Sequence, residues 1–364
     1  MKNEILKALA AEYYGAGQFV SGAELSTALG VTRAAISKTV QQLVASGYPI
    51  ESQKHYGYRL TDLPEALNEA VISRALLAVG ASTFARSSHC LATVDSTNLV
   101  ARRGAEAGAS DFSLYVAEEQ TAGRGRRGRT WRSASGEGLW FSLLLRPDLP
   151  PEKLAPITLF AGLCVAEALR TATGLDIQLK WPNDLVVLPS GRKLGGILTE
   201  TILEENQITA VVVGIGVNVH TQVFPTELNA VATSLVLELD GSNPFNPNRT
   251  SLLAQIMGRF EQRWPEFLES ALPGSAQVEK SIPAWLDDYR AICASLGRMV
   301  QISGLQHAQH AQHAQNGKNA EDGTTVAEAV TISDTGDLVV RLPDGREQAI
   351  TAGEVSVRGL LGYV

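Results

Sequence analysis

The segment 120-QTAGRGRRGRTW-131 is the most unusual stretch of this 364-residue chain. Between Gly123 and Arg129 it holds four arginines and three glycines in seven positions. Glycine permits positive φ and a close approach of the backbone to a ligand, and arginine offers a planar fork that binds phosphate or carboxylate through two hydrogen bonds. Because such a segment repels itself when empty, we expect it to be mobile until an anion binds.

An arginine- and glycine-rich run can also be a disordered RNA-binding tail or a solvated surface. The residues that follow argue against both. Trp131 comes directly after the run, and residues 138–145 (GLWFSLLL) form an apolar segment typical of a buried strand. The sequence therefore predicts a loop within a folded domain.

Composition limits the class of protein. Of the residues, 45% are hydrophobic, which is typical of a soluble globular chain, and the length indicates about two or three domains. The formal net charge is −7, so the whole molecule has no general attraction to nucleic acid or anionic membranes. The three cysteines, at widely separated positions, predict reduced thiols. The N-terminus lacks the apolar core of a signal peptide, and no apolar run reaches the roughly 18 residues of a membrane span. We therefore expect a cytoplasmic protein with no membrane partner.

The first sixty residues predict three helices. Apolar spacing indicates a helix over 3–14, Ser21 and Glu24 form a capping-box pattern, and Gly30 ends the second helix. The third helix, 33–46, is expected to begin after Thr32. Its predicted inner face consists of Ile36, Val40, Leu43 and Val44, and its predicted outer face consists of Thr32, Arg33, Ser37, Lys38 and Gln41.

Two short extended runs within 49–60 follow, so the pattern predicts a winged helix-turn-helix. Its candidate DNA-binding residues are Thr32, Arg33, Ser37 and Lys38. Residues 1–60 hold six Lys or Arg against four Asp or Glu, so useful DNA affinity requires dimerisation and specific base contacts. A three-helix packing unit without a nucleic-acid function is the alternative. Residues 62–80, with an amphipathic helix, are expected to join this part to the next domain.

The central region predicts strand ends that carry polar side chains. A strand from His89 ends at 95-DSTN-98, before a helix that is expected to start near Leu99. These small polar residues are typical helix caps, and they also suit a binding crevice. Both interpretations stay open.

Further along, a buried helix is expected over 154–174, closed by Gly174, followed by two half-strands around 181-WPND-184. A Pro-Asn-Asp run needs only a turn, although Lys180 and Asp184 beside the Trp181 indole also suit a nucleotide edge. Residues 192–202 carry a Gly-Gly pair inside a strand, and 211–220 is a buried strand ending at Asn218. Four strand ends with polar residues and glycines together predict a pocket.

Five motifs carry a family resemblance: DSTN (95–98), QTAGRGRRGRTW (120–131), KWPNDL (180–185), RKLGGIL (192–198) and VGIGVNV (213–219). In this order and at these intervals they resemble the biotin–protein ligases. With the N-terminal winged helix containing TRAAISK (32–38), the chain resembles the bifunctional ligases that are also biotin operon repressors. The resemblance implies an α+β fold with a mixed-sheet core related to class II aminoacyl-tRNA synthetases and a C-terminal SH3-like barrel.

The implied domains are a winged helix over 1–63, a linker helix over 64–80, a catalytic domain over 81–296 and a barrel domain over 297–364. Helices are expected at 251–270 and 283–296, and barrel strands at 298–303, 325–333, 337–342 and 347–359. The tract 306–323 contains His307, His310 and His313 and departs from the family, in which this connection is short. We interpret it as a solvated loop insertion, with metal binding as the alternative.

The implied activity is the formation of biotinyl-5′-AMP and pyrophosphate from biotin and ATP, with Mg²⁺, followed by transfer of biotin to a lysine of a carboxylase biotin carrier domain. Lys193 and Arg126 are the implied catalytic residues, since charge on a reacting phosphate needs positioned cations. The implied biotin-binding set is Ser96, Thr97, Asn98, Gln120, Arg124, Gly125, Arg126 and Lys193. The implied ATP- and adenylate-binding set is Arg126, Arg127, Arg129, Trp131, Lys180, Asn183, Asp184 and Asn218. Asp184 is also the implied acidic side chain beside Mg²⁺.

The regulatory half of the resemblance implies a homodimer when adenylate is bound, with operator DNA as a second partner. Three alternatives remain at this point: a monofunctional ligase with a vestigial winged helix, a ligand-sensing repressor without ligase activity, and a ligase for lipoate. The polar set Ser96, Thr97 and Gln120 favours a ureido ring over an aliphatic dithiolane.

Overall fold

The computed structural model describes residues 1–204, 207–239, 247–271, 283–303, 324–352 and 356–359. The chain divides into two compact units. One comprises Met1–Arg146, Glu200–His220 and Gly241–Gln262, and the other comprises Pro147–Thr199, Thr221–Asp240 and Arg263–Val364. The boundaries of the four implied domains stay predictions. Among the described helices, none has the length and apolar character needed to cross a membrane.

The first unit begins with a winged helix. Its elements are α1 (Lys2–Tyr13), α2 (Gly22–Leu29), α3 (Arg33–Ala45), β1 (Ile50–Gln53) and β2 (Gly57–Leu60). The predicted capping box is present, because the Ser21 hydroxyl accepts from the Glu24 N–H and the Glu24 carboxylate accepts from the Ser21 N–H. Gly30 ends α2 with a φ of 63°, in the left-handed region that favours glycine. The wing strands β1 and β2 pair antiparallel.

The core of the winged helix is formed by apolar residues of all three helices. Ile5, Leu25 and Ile36 are almost fully buried within it. The prediction for Val44 was wrong, since its side chain is 46% exposed. One residue advances about 100° around a helix, so Val44 turns away from the core that Leu43 reaches. Thr39 is buried instead, and its hydroxyl donates to the Ala35 carbonyl at 2.9 Å.

The linker continues as α4 (Glu69–Ala78) and α5 (Ser82–Arg86), and Val71 of α4 packs into the winged-helix core. Side chains from later in the chain hold the backbone before α4. Glu118 accepts from the Leu67 N–H at 2.6 Å, and Arg249 donates to the Glu65 carbonyl at 2.6 Å. Arg249 also binds both carboxylate oxygens of Glu118, at 2.8 and 3.1 Å. The Glu118–Arg249 ion pair therefore helps to fix the segment that leads out of the winged helix.

This ion pair predicts a stability effect. Arg249 is 2% exposed, so Arg249→Ala leaves the Glu118 carboxylate without its cation and is expected to cost about 3 kcal/mol of unfolding free energy. The matched control is Arg346→Ala, because Arg346 pairs with Asp344 where both side chains are largely exposed, and its loss is expected to leave the urea midpoint close to that of the wild type. Urea titration of the full chain compares the two, and equal midpoints would contradict the expectation.

The central elements follow in chain order: β3 (Ser88–Val94), α6 (Thr97–Glu106), β4 (Ser113–Gln120), β5 (Gly138–Leu145), α7 (Pro151–Leu154), α8 (Ile157–Thr173), β6 (Asp176–Lys180), β7 (Asp184–Leu188), β8 (Arg192–Glu204) and β9 (Gln207–Asn218). In the first unit the strand order is β3-β4-β5-β9. β3 runs parallel to β4, while β5 is antiparallel to both β4 and β9. The predicted mixed sheet is confirmed.

In the second unit, β6, β7 and the part of β8 up to Thr199 lie in the order β8-β7-β6, antiparallel throughout. The part of β8 from Glu200 onward belongs to the first unit. The helix expected over 154–174 is broken, because Pro156 has no N–H to continue α7 and instead stands at the start of α8. Gly174 closes α8 with a φ of 72°, as predicted. A methyl group on Gly162 of α8 would lie 3.3 Å from Leu179 and 3.4 Å from Ile197, so this helix packs closely on the strands.

Three helices follow: α9 (Leu235–Glu238), α10 (Arg249–Ala271) and α11 (Ala284–Ala291). The Phe160 ring of α8 lies 5.0 Å from the ring of Phe267 and 5.7 Å from that of Trp285, centroid to centroid. The second unit therefore has an aromatic core in which α8 meets both later helices.

The C-terminal strands are β10 (Met299–Ser303), β11 (Thr324–Ile332), β12 (Leu338–Arg341), β13 (Glu347–Ile350) and β14 (Ser356–Gly359), in the antiparallel order β13-β12-β11-β10-β14. The single strand predicted over 347–359 was wrong. Its two halves pair with different neighbours, β12 and β10. The predicted insertion at 306–323, with its three histidines, lies outside the described residues.

Candidate functional site

The arginine-rich loop is a closed hairpin at the end of β4. Gln120 forms an antiparallel bridge with Ser133, and Arg124 forms one with Thr130. Its tip is one turn of 3-10 helix, Arg126–Gly128, in which Arg127 adopts a φ of 57°. Arg124, Arg127 and Arg129 are exposed, and Arg126 is half-buried. The loop therefore presents guanidinium groups from a hydrogen-bonded frame. Its expected mobility stays a prediction.

One glycine of this loop is required by close contact. A methyl group on Gly123 would lie 2.3 Å from the Trp131 carbonyl and 2.8 Å from the Ser133 hydroxyl. The Trp131 N–H donates to the Gly123 carbonyl at 2.9 Å. Only glycine lets the two arms of the hairpin approach this closely.

Buried polar groups lie at the base of the hairpin. The Gln120 side-chain oxygen accepts from the Thr97 N–H at 2.8 Å and contacts the Thr97 hydroxyl at 3.1 Å. The Gln120 amide group donates to the Ser133 hydroxyl at 2.6 Å. Thr97 and Ser133 are each 3% exposed. The structure thus brings together Thr97 and Gln120, which the sequence assigned to one ligand.

The start of α6 differs from the prediction. The helix begins at Thr97, two residues earlier than expected, and Ser96 at its N-cap position makes no side-chain capping bond. The Asp95 carboxylate accepts from the Ser96 N–H and from both terminal nitrogens of Arg103. The Arg103 hydrogen bond lowers the pKa of Asp95 to about 2, so Asp95 is a structural anion. Ser96, 2% exposed, is available for a role other than capping.

Asn98 connects α6 to two strands of the first unit. Its amide group donates to Glu200 at 2.7 Å, and its amide oxygen lies 2.7 Å from the Ser142 hydroxyl. A methyl group on Gly214 would lie 2.0 Å from that amide oxygen. The glycine of β9 therefore makes room for Asn98. The second carboxylate oxygen of Glu200 accepts from Arg124 at 3.1 Å.

Trp131 follows the loop and packs over β9. A methyl group on Gly216 would lie 2.6 Å from the indole nitrogen of Trp131. The Trp131 ring meets the buried Trp140 edge-on, with centroids 6.3 Å apart. Asn218, at the end of β9, is 6% exposed and lies opposite Gly138 in the strand register. Trp131 itself is half-buried.

In the second unit, Lys193 and Asp184 form the central charged pair. The Lys193 ammonium lies 2.5 Å from the Asp184 carboxylate, with side chains 22% and 15% exposed. Gly196 leaves space beside them, because a methyl group there would lie 3.2 Å from the ammonium nitrogen. The Lys193 backbone pairs with Val231 and Thr233 at 2.8 Å each. The predicted lysine is thus held on a strand with its ammonium group partly accessible.

The KWPND segment has a more structural character than expected. Trp181 is 1% exposed and its indole N–H donates to the Gly336 carbonyl at 3.0 Å, so the suggestion of an indole facing a nucleotide was wrong. Lys180 is 6% exposed. The Asn183 amide donates to the Ile197 carbonyl at 2.9 Å. The turn is anchored to its own unit through Trp181 and Asn183.

Within the part of the chain that the structure describes, no three His, Cys, Asp or Glu side chains group together as they would around a metal ion. The Asp184 carboxylate already forms an ion pair with the Lys193 ammonium.

All three cysteines are free thiols, and burial, as the largest cause, raises the pKa of Cys90 to about 12.

The predicted DNA-binding side chains lie at the start of α3. Arg33 and Lys38 are exposed, and Ser37 is half-buried. The Thr32 hydroxyl caps the helix by accepting from the Ala35 N–H at 3.2 Å. On the wing, the Arg59 guanidinium lies 4.5 Å from the Phe19 ring centre and pairs with Glu51. The third helix thus carries two exposed cations, Arg33 and Lys38.

Three family models match the chain. Residues 92–218 match the Biotin/lipoate A/B protein ligase family, residues 6–59 match an HTH domain, and residues 317–358 match the Biotin protein ligase C terminal domain. The mixed sheet with its arginine-rich hairpin therefore belongs to the class of biotin and lipoate ligases.

Individual relatives show which family within this class the chain belongs to. The bifunctional ligase/repressor BirA of Bacillus spizizenii is 36% identical over 273 residues, covering 74% of this chain and 81% of the relative. The biotin–[acetyl-CoA-carboxylase] ligase of Paracoccus denitrificans is 32% identical, covering 74% of this chain and all of the relative. The structure of the Aquifex aeolicus biotin protein ligase in complex with biotin and ATP matches with a TM-score of 0.58 at 28% identity, over 75% of this chain and 99% of that one. This chain belongs to the family of bifunctional biotin ligase/repressors.

Proposed function

We propose that this protein is an ATP-dependent biotin–protein ligase that also represses transcription. In the first step, a biotin carboxylate oxygen attacks the α-phosphorus of ATP and pyrophosphate leaves. In the second, a carrier lysine amine attacks the acyl carbon of biotinyl-5′-AMP, loses a proton and releases AMP. The amide formed links biotin to the biotin carrier domain of a carboxylase.

One observation carries the ligase proposal: the buried polar set at the base of the arginine-rich hairpin. The Gln120 side chain accepts from the Thr97 N–H at 2.8 Å and donates to the Ser133 hydroxyl at 2.6 Å. Buried polar groups in an apolar sheet are costly unless they are paired. A ureido ring, with one carbonyl and two N–H groups, is a ligand that such a set can recognise. An aliphatic dithiolane offers it no such hydrogen bonds.

The cations have separate proposed roles. Lys193 neutralises the biotin carboxylate and the α-phosphate during attack. Arg126 and Arg129 hold phosphates, and Arg126 also retains the acyl-adenylate. Because the reaction depends on positioning and charge, no covalent enzyme intermediate is needed.

The remaining proposed contacts divide between the two ligands. For biotin they come from Ser96, Thr97, Asn98, Gln120, Arg124 and Gly125. For ATP and the adenylate they come from Arg127, Trp131, Lys180, Asn183, Asp184 and Asn218. The exposed Arg127 fits a phosphate contact, whereas Lys180 and Asn218 are buried and fit an adenine or ribose edge at most.

Mg²⁺ is proposed as an ion that arrives with ATP. Mg²⁺ keeps several waters and is commonly held by one or two carboxylates together with substrate phosphates. Asp184 is a single carboxylate beside the proposed catalytic lysine, which fits such a nucleotide-borne ion and does not fit an all-protein metal cage. The ion would supply charge neutralisation on the phosphates.

Pyrophosphate release tests the ligase half. Biotin and ATP together are expected to release pyrophosphate, and neither is expected to do so alone. A pure ligand sensor would release none, which would contradict the proposal. Release with lipoate at the same KM as with biotin would reassign the substrate.

We propose that the winged helix binds a palindromic operator as an adenylate-dependent homodimer. Two recognition helices, each with exposed Arg33 and Lys38, would read the two half-sites. Sedimentation with and without biotinyl-5′-AMP tests this. A monomer in both states, together with no operator footprint, would leave a monofunctional ligase with a vestigial winged helix. The three free thiols support a cytoplasmic location for both activities.

The site predicts the effect of one small substitution. Gly214→Ala places a methyl group where the Asn98 amide oxygen now lies, 2.0 Å away, so Asn98 must move and the polar set at α6 is disturbed. We expect the KM for biotin to rise about tenfold, the value of one lost hydrogen bond. Gly162→Ala is the control, since its nearest neighbours are flexible side-chain ends at 3.3 and 3.4 Å. A KM for Gly214→Ala equal to that of the control would refute the packing argument.

A further inference from the structure

Glu200 is a charged residue inside the sheet, on the second half of β8, and the proposed reaction gives it no role. Its side chain is 28% exposed. One carboxylate oxygen accepts from Asn98 at 2.7 Å and the other accepts from Arg124 at 3.1 Å. A single carboxylate therefore joins the first turn of α6 to the arginine-rich hairpin.

The contact with Glu200 fixes the orientation of the Asn98 amide. A carboxylate only accepts hydrogen bonds, so the Asn98 amino group must face it. The Asn98 oxygen then faces the Ser142 hydroxyl, 2.7 Å away. Because an amide oxygen can only accept, Ser142 must donate its single proton to Asn98.

The same reasoning assigns the donor in the contact between the Ser142 and Thr97 hydroxyls. The hydroxyls of Ser142 and Thr97 are also 2.7 Å apart. Since the Ser142 proton is committed to Asn98, Thr97 must supply the proton for this second contact. The longer 3.1 Å contact of the Thr97 hydroxyl with Gln120 then has no proton, and the Thr97 N–H serves the Gln120 oxygen at 2.8 Å. The Thr97 hydroxyl is left with lone pairs and no proton to offer a ligand.

We propose that Glu200 is a positioning residue for biotin. It sets the direction of the hydrogen bonds through Asn98 and Ser142, so that the Thr97 hydroxyl accepts from the ligand, and it ties the hairpin to the same frame through Arg124. N–H groups are the only hydrogen-bond donors of the biotin ring system, so this polarity selects for a ureido ring. The inference rests on the proposed ligase function.

The test separates the two contacts of Glu200 by steady-state kinetics of adenylate formation. Glu200→Ala removes both contacts and is expected to raise the KM for biotin about tenfold, with a smaller change in kcat. Glu200→Gln keeps an oxygen for Asn98, so the proton order survives and the KM is expected to return close to the wild-type value. Glu204→Ala is the matched control, an exposed glutamate on the same strand, and is expected to behave as wild type.

A second variant tests the relay without touching Glu200. Ser142→Ala breaks the connection between Asn98 and Thr97 and leaves the Arg124 pair in place. The double variant Glu200→Ala, Ser142→Ala is expected to raise the KM no further than the larger single effect, because both interrupt one chain of bonds. Additive effects, or a KM for Glu200→Ala equal to wild type, would overturn the inference. A wild-type protein that makes no adenylate would instead refute the ligase proposal itself.

Discussion

Lys193→Ala is expected to reduce the formation of biotinyl-5′-AMP about a thousandfold. The ammonium group lies 2.5 Å from Asp184 and is 22% exposed, so it is partly shielded from water and its charge is weakly screened. A positioned donor or cation that meets developing charge is worth about 10²- to 10³-fold in rate. Removing it leaves the biotin carboxylate and the α-phosphate to repel each other.

The measurement is a single-turnover assay of adenylate without the carrier, so that the transfer step does not contribute. Arg192→Ala is the control. Arg192 is the preceding residue on β8, faces the opposite side of the strand, and pairs with Glu238 at 2.7 Å. A rate for Lys193→Ala within a few fold of Arg192→Ala would remove the lysine from the mechanism.

Arg126→Gly is expected to release the adenylate about tenfold to a hundredfold faster, the value of one charge-assisted hydrogen bond or pair of bonds. Arg126 begins the helical turn at the hairpin tip. It is half-buried, whereas the other three arginines of the loop, Arg124, Arg127 and Arg129, are exposed. Its loss leaves the hairpin frame in place, because the Gly125 N–H to Arg129 carbonyl bond at 2.7 Å is made by the backbone. Free adenylate is then expected to label lysines of unrelated proteins in the mixture.

Arg132→Gly is the control for this experiment. Arg132 lies at the base of the hairpin, away from its tip, is exposed and pairs with Glu137, and its loss removes the same charge. Dissociation of labelled adenylate from each variant gives the rate directly. Labelling that remains confined to the carrier domain in Arg126→Gly would contradict the retention role.

The winged helix was predictable because its signals are local. The Ser21 and Glu24 capping box, the Gly30 stop and the Thr32 cap each depend on residues within one turn, and each is present. The error at Val44 arose because apolar character alone does not give its angle around the helix. The division of 347–359 into two strands depends on partners far away in the chain, which no local pattern reveals.

The sequence motifs of the candidate site could be predicted, whereas the side-chain hydrogen bonds that link those motifs could not. The strands, the place of the arginine-rich loop within a folded domain and the strand position of Lys193 follow from the sequence. The contacts of Glu200 depend on which strands lie beside α6, so they could not be predicted. Ser142 did carry a signal: it is the one hydroxyl residue in a strand whose eight residues are all buried, and a buried hydroxyl requires a partner. Trp181 misled because a buried indole and a ligand-facing indole give the same pattern.

Intact-mass measurement of a carboxylase biotin carrier domain tests the central claim most directly. After incubation with this protein, biotin and ATP, the carrier is expected to gain the mass of one biotin less one water. A carrier whose acceptor lysine is replaced by alanine, and a reaction without ATP, are expected to show no gain. The same carrier should be one that another biotin ligase modifies. If its mass is unchanged in the complete reaction, this result would contradict the assignment of ligase activity to this protein.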